Sequence, residues 1–256
     1  MDSGEFEVEG DRLLALAEAE GVVLRLLGAL AFKKRCPRHA FLQETLNRRY
    51  TDIDFAAYGK QVKDVRRILA REGYVEDEMT YVESEGSRMV LHHPGTDLHL
   101  DVFLDKLEFC HLIRWDGRLE SDRSTIPLAE MLMQKMQIVE INEKDIIDTI
   151  MLLLEHPLGD ADEEAVNIGL VARVCAKDWG WWRTLTMNLG KVRQMAAAYQ
   201  QLGQDETRRV AEQVDLALER IEREPKSIGW KMRAKIGDRK KWYRDVGELG
   251  PVMEEL

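Results

Sequence analysis

A change of hydrophobic period along the chain limits its fold more than any other feature. Between Tyr74 and Leu104 apolar and polar residues alternate, which sends successive side chains to opposite faces, as in strands half-buried on a core. Residues 79–85, Arg88–His93 and Leu98–Leu104 read as three short strands, parted by Glu-Gly-Ser and Pro-Gly-Thr turns. Beyond Pro127 the alternation stops and apolar residues recur three and four apart. Residues 128–139 and Glu143–Glu155 read as helices, the second with Ile146, Ile147, Ile150 and Leu153-Leu154 as its buried stripe. Further helices are expected at about 162–176, 180–202 and 205–224. The fold class is therefore α+β: a small mixed sheet with flanking helices, followed by an all-helical C-terminal region.

Ahead of the alternating segment, residues 1–10 are acidic and contain glycine, the composition of a flexible tail. A helix is expected from Asp11 as N-cap to Gly21 as stop. Residues 22–27 suit a buried strand that runs through Gly28-Ala29 into a second helical pattern ending near Lys34. Strand, glycine turn and helix in that order aim backbone N–H groups at a bound anion. Val62, Val65, Ile68 and Leu69 mark another helix, stopped by Gly73. The polar stretch 116–127 divides an N-terminal unit, 11–116, from a helical one, 117–256.

Within the N-terminal unit the carboxylates carry the chemistry. In Tyr50-Thr51-Asp52-Ile53-Asp54-Phe55 the alternation puts Asp52 and Asp54 on one face and Ile53 and Phe55 on the other. Two carboxylates held side by side repel unless a cation stands between them, which is how proteins grip Mg²⁺ and nucleotide phosphates together. Asp101 interrupts the apolar strand His99–Asp105 in mid-course, where a charge needs a partner, a metal or a task. Asp105 sits at the end of that strand and can start a turn instead. Arg48 and Arg49 immediately precede the Asp52 strand.

Composition narrows the function classes. A net charge of −10 over 256 residues argues against nucleic-acid binding through overall charge. Locally, eight Lys and Arg between Lys226 and Arg244 alternate with Trp230, Trp242 and Tyr243. That mixture suits RNA by phosphate neutralisation and base stacking, or a solvated helix whose aromatics pack inward. Cys36, Cys110 and Cys175 are scattered and odd in number, which indicates neither disulfide framework nor zinc knuckle and points to a reducing cytoplasm. No apolar run approaches the ~20 residues of a membrane span. A zinc site from His92, His93 and His99 is a weaker alternative, and no Ser-His-Asp or Cys-His arrangement is visible.

Taken in order, Gly28-Ala29 opening a helix, Asp52-x-Asp54 on a strand and Asp101 on a later strand resemble the nucleotidyltransferase superfamily typified by polymerase beta. Ala129-Glu-Met-Leu-Met-Gln-Lys135, followed by Lys144-Asp145-x-x-Asp148, resembles the helical continuation of its minimal AbiEii-type members, some of them toxins of toxin–antitoxin pairs. The likeness spans about residues 20–155. It implies that Asp52, Asp54 and Asp101 hold Mg²⁺ and carry catalysis. Gly28, Ala29, Lys135, Lys144, Asp145 and Asp148 are implied to bind the nucleotide. The implied reaction moves a nucleoside monophosphate from an NTP such as ATP to a hydroxyl of RNA (tRNA included), a protein or a small molecule. Ala29 stands where the family carries Gly or Ser and brings no hydroxyl for a phosphate. That departure suits the alternative of an inactive relative that senses a nucleotide or joins a protein partner.

Overall fold

The computed structural model describes residues 3–45, 50–96 and 98–245. Its first element, α1 (Ser3–Ala19), begins inside the stretch expected to be a flexible tail. Phe6, Leu13, Leu14 and Ala17 make one buried stripe along it, so residues 3–10 are held by apolar packing despite their acidity. Gly21, at φ 69°, turns the chain into β1 (Leu24–Leu27). Then come α2 (Gly28–Arg35), α3 (Phe41–Glu44), β2 (Asp52–Ala57), α4 (Val62–Arg71) and β3 (Val75–Asp77).

The next element departs from expectation. Residues 79–85, read as a strand, form α5 (Glu78–Glu83). Asp77 caps this helix, accepting from the Met79 N–H at 3.1 Å and the Thr80 hydroxyl at 2.6 Å. Of its apolar residues Met79 and Val82 lie exposed and Tyr81 alone packs partly against the core. A hairpin follows of β4 (Arg88–His93) and β5 (Leu98–Leu104), and a smaller one of β6 (Lys106–Glu108) and β7 (Leu112–Arg114).

The main sheet runs β1-β2-β5-β4-β3, with β2 and β5 parallel and all other neighbours antiparallel. The centre of one face is apolar: Leu26, Ile53, Phe55, Leu100 and Val102 are buried there. Across it lies α1, whose Gly10 approaches Leu26 and Ile53 closely. On the opposite face sit the carboxylates.

The helical region comprises α6 (Leu128–Met136), α7 (Glu143–Glu155), α8 (Ile168–Lys177), α9 (Trp179–Ala198), α10 (Gln204–Arg223) and α11 (Ile228–Ile236). A short parallel pair, β8 (Leu158–Gly159) and β9 (Val166–Asn167), lies between α7 and α8. Side chains of Asn142, Asn167 and Asp178 cap α7, α8 and α9. The stretch 116–127 is more than a connector. Leu26 N–H donates to the Ser124 carbonyl at 2.8 Å and Ile126 N–H to the Leu26 carbonyl at 2.9 Å, extending the sheet past β1. One hydrophobic core runs without a break from Phe6 to Ile221. Among the described residues no helix is long and apolar enough to cross a membrane.

A candidate active site on the carboxylate face of the sheet

Register brings the carboxylates together. In the parallel β2–β5 pair Asp54 lies opposite Asp101 and Asp52 opposite His99, while Leu27 lies opposite Asp54 across β1. The glycine turn after Leu27 is thereby set against the carboxylate pair. Gly28 has φ 68°, and a methyl group there would collide with the Asp54 carboxylate. Glycine is required at this position twice over, for the left-handed backbone and for the close approach.

A cavity of about 370 Å³ opens over these groups. Its wall includes Gly28, Ala29, Asp52, Asp54, Asp101 and Lys144. Asp52 lies exposed at the rim, and Asp101 is only 7% exposed. Burial holds the Asp54 carboxyl well above the usual carboxylate range, and the charges of Asp52 and Asp101 push it further. Lys135 and Arg88 pull the other way. Asp101 is also raised, by burial first, against the lowering effect of Arg88.

Arg88, the first residue of β4, is the partner that sequence reasoning missed. Its Nε donates to the Asp101 carboxylate at 2.8 and 3.0 Å and its terminal nitrogen pairs with the same group. The guanidinium also lies over the Phe103 ring, 5.4 Å from its centroid. Arg88 faces Phe103 in the ladder and meets Asp101 on the diagonal; only the register of the hairpin reveals this pair.

Behind the glycine turn a polar chain is buried between helices. Lys135, on α6, reaches Asp145 at 2.7 Å and Asp148 at 3.0 Å, both on α7. Asp148 accepts from the Gln43 amide at 2.6 Å, and Gln43 in turn accepts from the Tyr50 hydroxyl at 2.7 Å. Gly28 N–H donates to the Gln134 side chain at 3.3 Å. Lys135 lines the cavity. Asp145 and Asp148 fix it in place from behind, so their contact is with the lysine and not with the cavity.

Several expected groups lie elsewhere. Asp105 accepts from Gly59 N–H at 2.9 Å and ties the chain after β5 to the chain after β2, which leaves Asp101 as the third carboxylate of the candidate site. His93 packs edge-on against Tyr74 at 5.2 Å between centroids, away from the face that carries His92 and His99. Trp230 packs on Trp182 and Trp242 on Trp179, so the aromatics of the basic segment rest on α9. Arg48 and Arg49 lie outside the described residues.

The three carboxylates offer hard oxygen donors of the kind Mg²⁺ prefers, and Asp54 is half-buried at a spot where a divalent cation would offset its repulsion. Among the described residues no three His, Cys, Asp or Glu side chains form a preassembled metal cage, and Asp101 is turned to Arg88 instead. No family model matches this chain, and no curated protein or solved structure matches it either.

Proposed function

We propose that this chain is a polymerase-beta-type nucleotidyltransferase of the minimal AbiEii-like kind. It would transfer a nucleoside monophosphate from an NTP to an acceptor hydroxyl. The observation that carries this reading is the register: Asp54 beside Asp101 on parallel strands, with the glycine turn against Asp54. In the proposed reaction the triphosphate lies along the Gly28-Ala29 helix start and takes the place of Gln134 as acceptor of the Gly28 N–H. Lys135 and Lys144 supply positive charge to the same cavity. The acceptor oxygen attacks the α-phosphorus, the bond to the β-phosphate oxygen breaks, and pyrophosphate leaves. Asp101 accepts the hydroxyl proton, which its raised affinity for protons favours. Asp52, Asp54 and Asp101 would hold Mg²⁺, which when bound neutralises phosphate charge and lowers the pKa of the attacking hydroxyl. For Asp101 to join, Arg88 must release it.

Incubation with α-labelled NTPs and Mg²⁺ tests the proposal. Asp101→Asn should lower transfer by orders of magnitude while the chain still melts cooperatively, at a lower temperature for loss of the Arg88 pair. Full transfer by that variant would exclude the assignment.

A second reading is a non-catalytic nucleotide-sensing or protein-binding module. Two observations favour it: Ala29 lacks a phosphate-binding hydroxyl, and Arg88 already occupies Asp101. Nucleotide-dependent thermal stabilisation without any transfer would select it. The three cysteine thiols are buried and unpaired, which suits a reducing cytoplasm.

A further inference from the structure

Most of the large apolar side chains left exposed among the described residues stand on two helix faces. One belongs to α11. Ile228, Met232 and Ile236 are exposed about one turn apart, with Lys231 and Lys235 exposed beside them. The other side of α11 faces the protein: Trp230 packs on Trp182, and the Arg233 guanidinium lies over the Trp179 ring, 4.5 Å from its centroid. The second face belongs to α5. Met79 and Val82 are exposed at its centre between Glu78 and Glu83, while Tyr81 packs partly against the core.

We infer that the α11 face docks on the α5 face of a second copy of this chain. The contact is independent of the nucleotidyltransferase reading. Every copy carries both faces, so two copies can engage in both directions or pass an open face to a third.

Charge selects this pairing. Between Arg71 and Arg88 the chain holds six carboxylates and no Lys or Arg. Between Glu224 and Asp238 it holds four Lys or Arg and no carboxylate, in a chain whose net charge is −10. Among the described residues the side chains of Lys231, Lys235, Glu78 and Glu83 make no ion pair or hydrogen bond, so none has to leave a partner to enter the contact. Like faces repel: α11 on α11 sets lysine on lysine, and α5 on α5 sets glutamate on glutamate. Only the mixed pairing joins the two apolar centres and places lysines against glutamates at their rim, the anatomy of a specific interface.

RNA suits the α11 face less well. Its tryptophan is turned inward onto α9, and the outer side chains are aliphatic, which offer bases no ring to stack on. The two helices are short, at six and nine residues. Their contact therefore belongs with interfaces under about 1,200 Å², where association is weak and reversible.

Sedimentation velocity of the full chain tests this at concentrations up to about 200 µM, the range that a weak contact requires. Average mass should rise with concentration, and rise less in about 0.5 M salt than in about 0.05 M. Met232→Glu and Val82→Lys alter side chains in residues 65% and 70% exposed, so each should keep the wild-type melting temperature. Each should weaken self-association by about tenfold or more. An equimolar mixture of the two variants should regain it, because each supplies the face that the other lacks. A wild-type chain that stays monomeric throughout overturns the inference. So does wild-type association by either variant, or a mixture no stronger than its components. Cosedimentation of a monomeric wild-type chain with phosphatidylserine vesicles or bulk tRNA, abolished by Met232→Glu, also overturns it and assigns the α11 face to an anionic surface.

Discussion

Asp54 shows at the residue scale how a site can be legible in sequence while its energetics are not. Alternation put it beside Asp52 on one face of a strand, and the structure keeps it there. Its burial under the Gly28 turn raises its pKa, so the folded protein retains a proton that the unfolded chain releases. Between the unfolded and folded values, stability must then fall as pH rises. Asp54→Asn removes that penalty. Its melting temperature should exceed the wild type at pH 7.5, and the gain should shrink as pH falls toward ~4, where an unfolded-state aspartate is itself protonated. Scanning calorimetry across that range decides it, and no gain at neutral pH would contradict the burial argument. Gly28 is the complementary case. Gly28→Ala forces a methyl group against the Asp54 carboxylate at a left-handed position, a loss of at least ~1–2 kcal/mol from backbone conformation alone, read by urea unfolding.

At the scale of elements, one lysine joins α6 to α7 by charge, beside their apolar packing. Lys135 is 8% exposed in its side chain and bridges two carboxylates, one of them, Asp148, fully buried. Removing the cation strands those charges, and breaking a buried pair typically costs about 3–5 kcal/mol. Lys135→Met should therefore destabilise by that order in chemical unfolding. Adding Asp145→Asn and Asp148→Asn to Lys135→Met should restore much of the loss, since the stranded charges disappear. If the triple variant is as unstable as the single one, packing and not charge governs this contact. The elements also show where pattern reading fails. Residues 79–85 read like a strand, yet the Asp77 cap starts α5 there, with Met79 and Val82 left exposed and Tyr81 turned to the core. Likewise α1 extends back to Ser3 because Phe6 finds the core.

Across the whole molecule, one core and one extended sheet join the two units that the polar stretch 116–127 was expected to separate. Ser124–Ile126 carries backbone hydrogen bonds to Leu26, and α2 packs against both α6 and α7. A chain ending at residue 116 loses the outer lane of the sheet and the helices behind the glycine turn. That fragment should lack a cooperative thermal transition, while the full chain should show a single one. Two separate transitions in the full chain, or a folded fragment, would show that residues 11–116 stand alone.

By itself the sequence determined what short-range geometry determines. Period two assigned Asp52, Asp54 and Asp101 to the polar face of strands. Period three to four laid out α6, α7, α9 and α10, and glycine at 28 marked the turn. Such features depend on neighbours a few residues away, which any single chain displays. Tertiary structure alone decided that Asp54 meets Asp101, that Arg88 holds Asp101, and that Asp145 and Asp148 face Lys135 instead of the cavity. It also set a second cavity against the carboxylate-lined one, with Arg88, Phe103 and Phe109 in the wall of both. The reason is physical: strand register and helix packing are set by burial summed over the whole core, and that sum has no local signature.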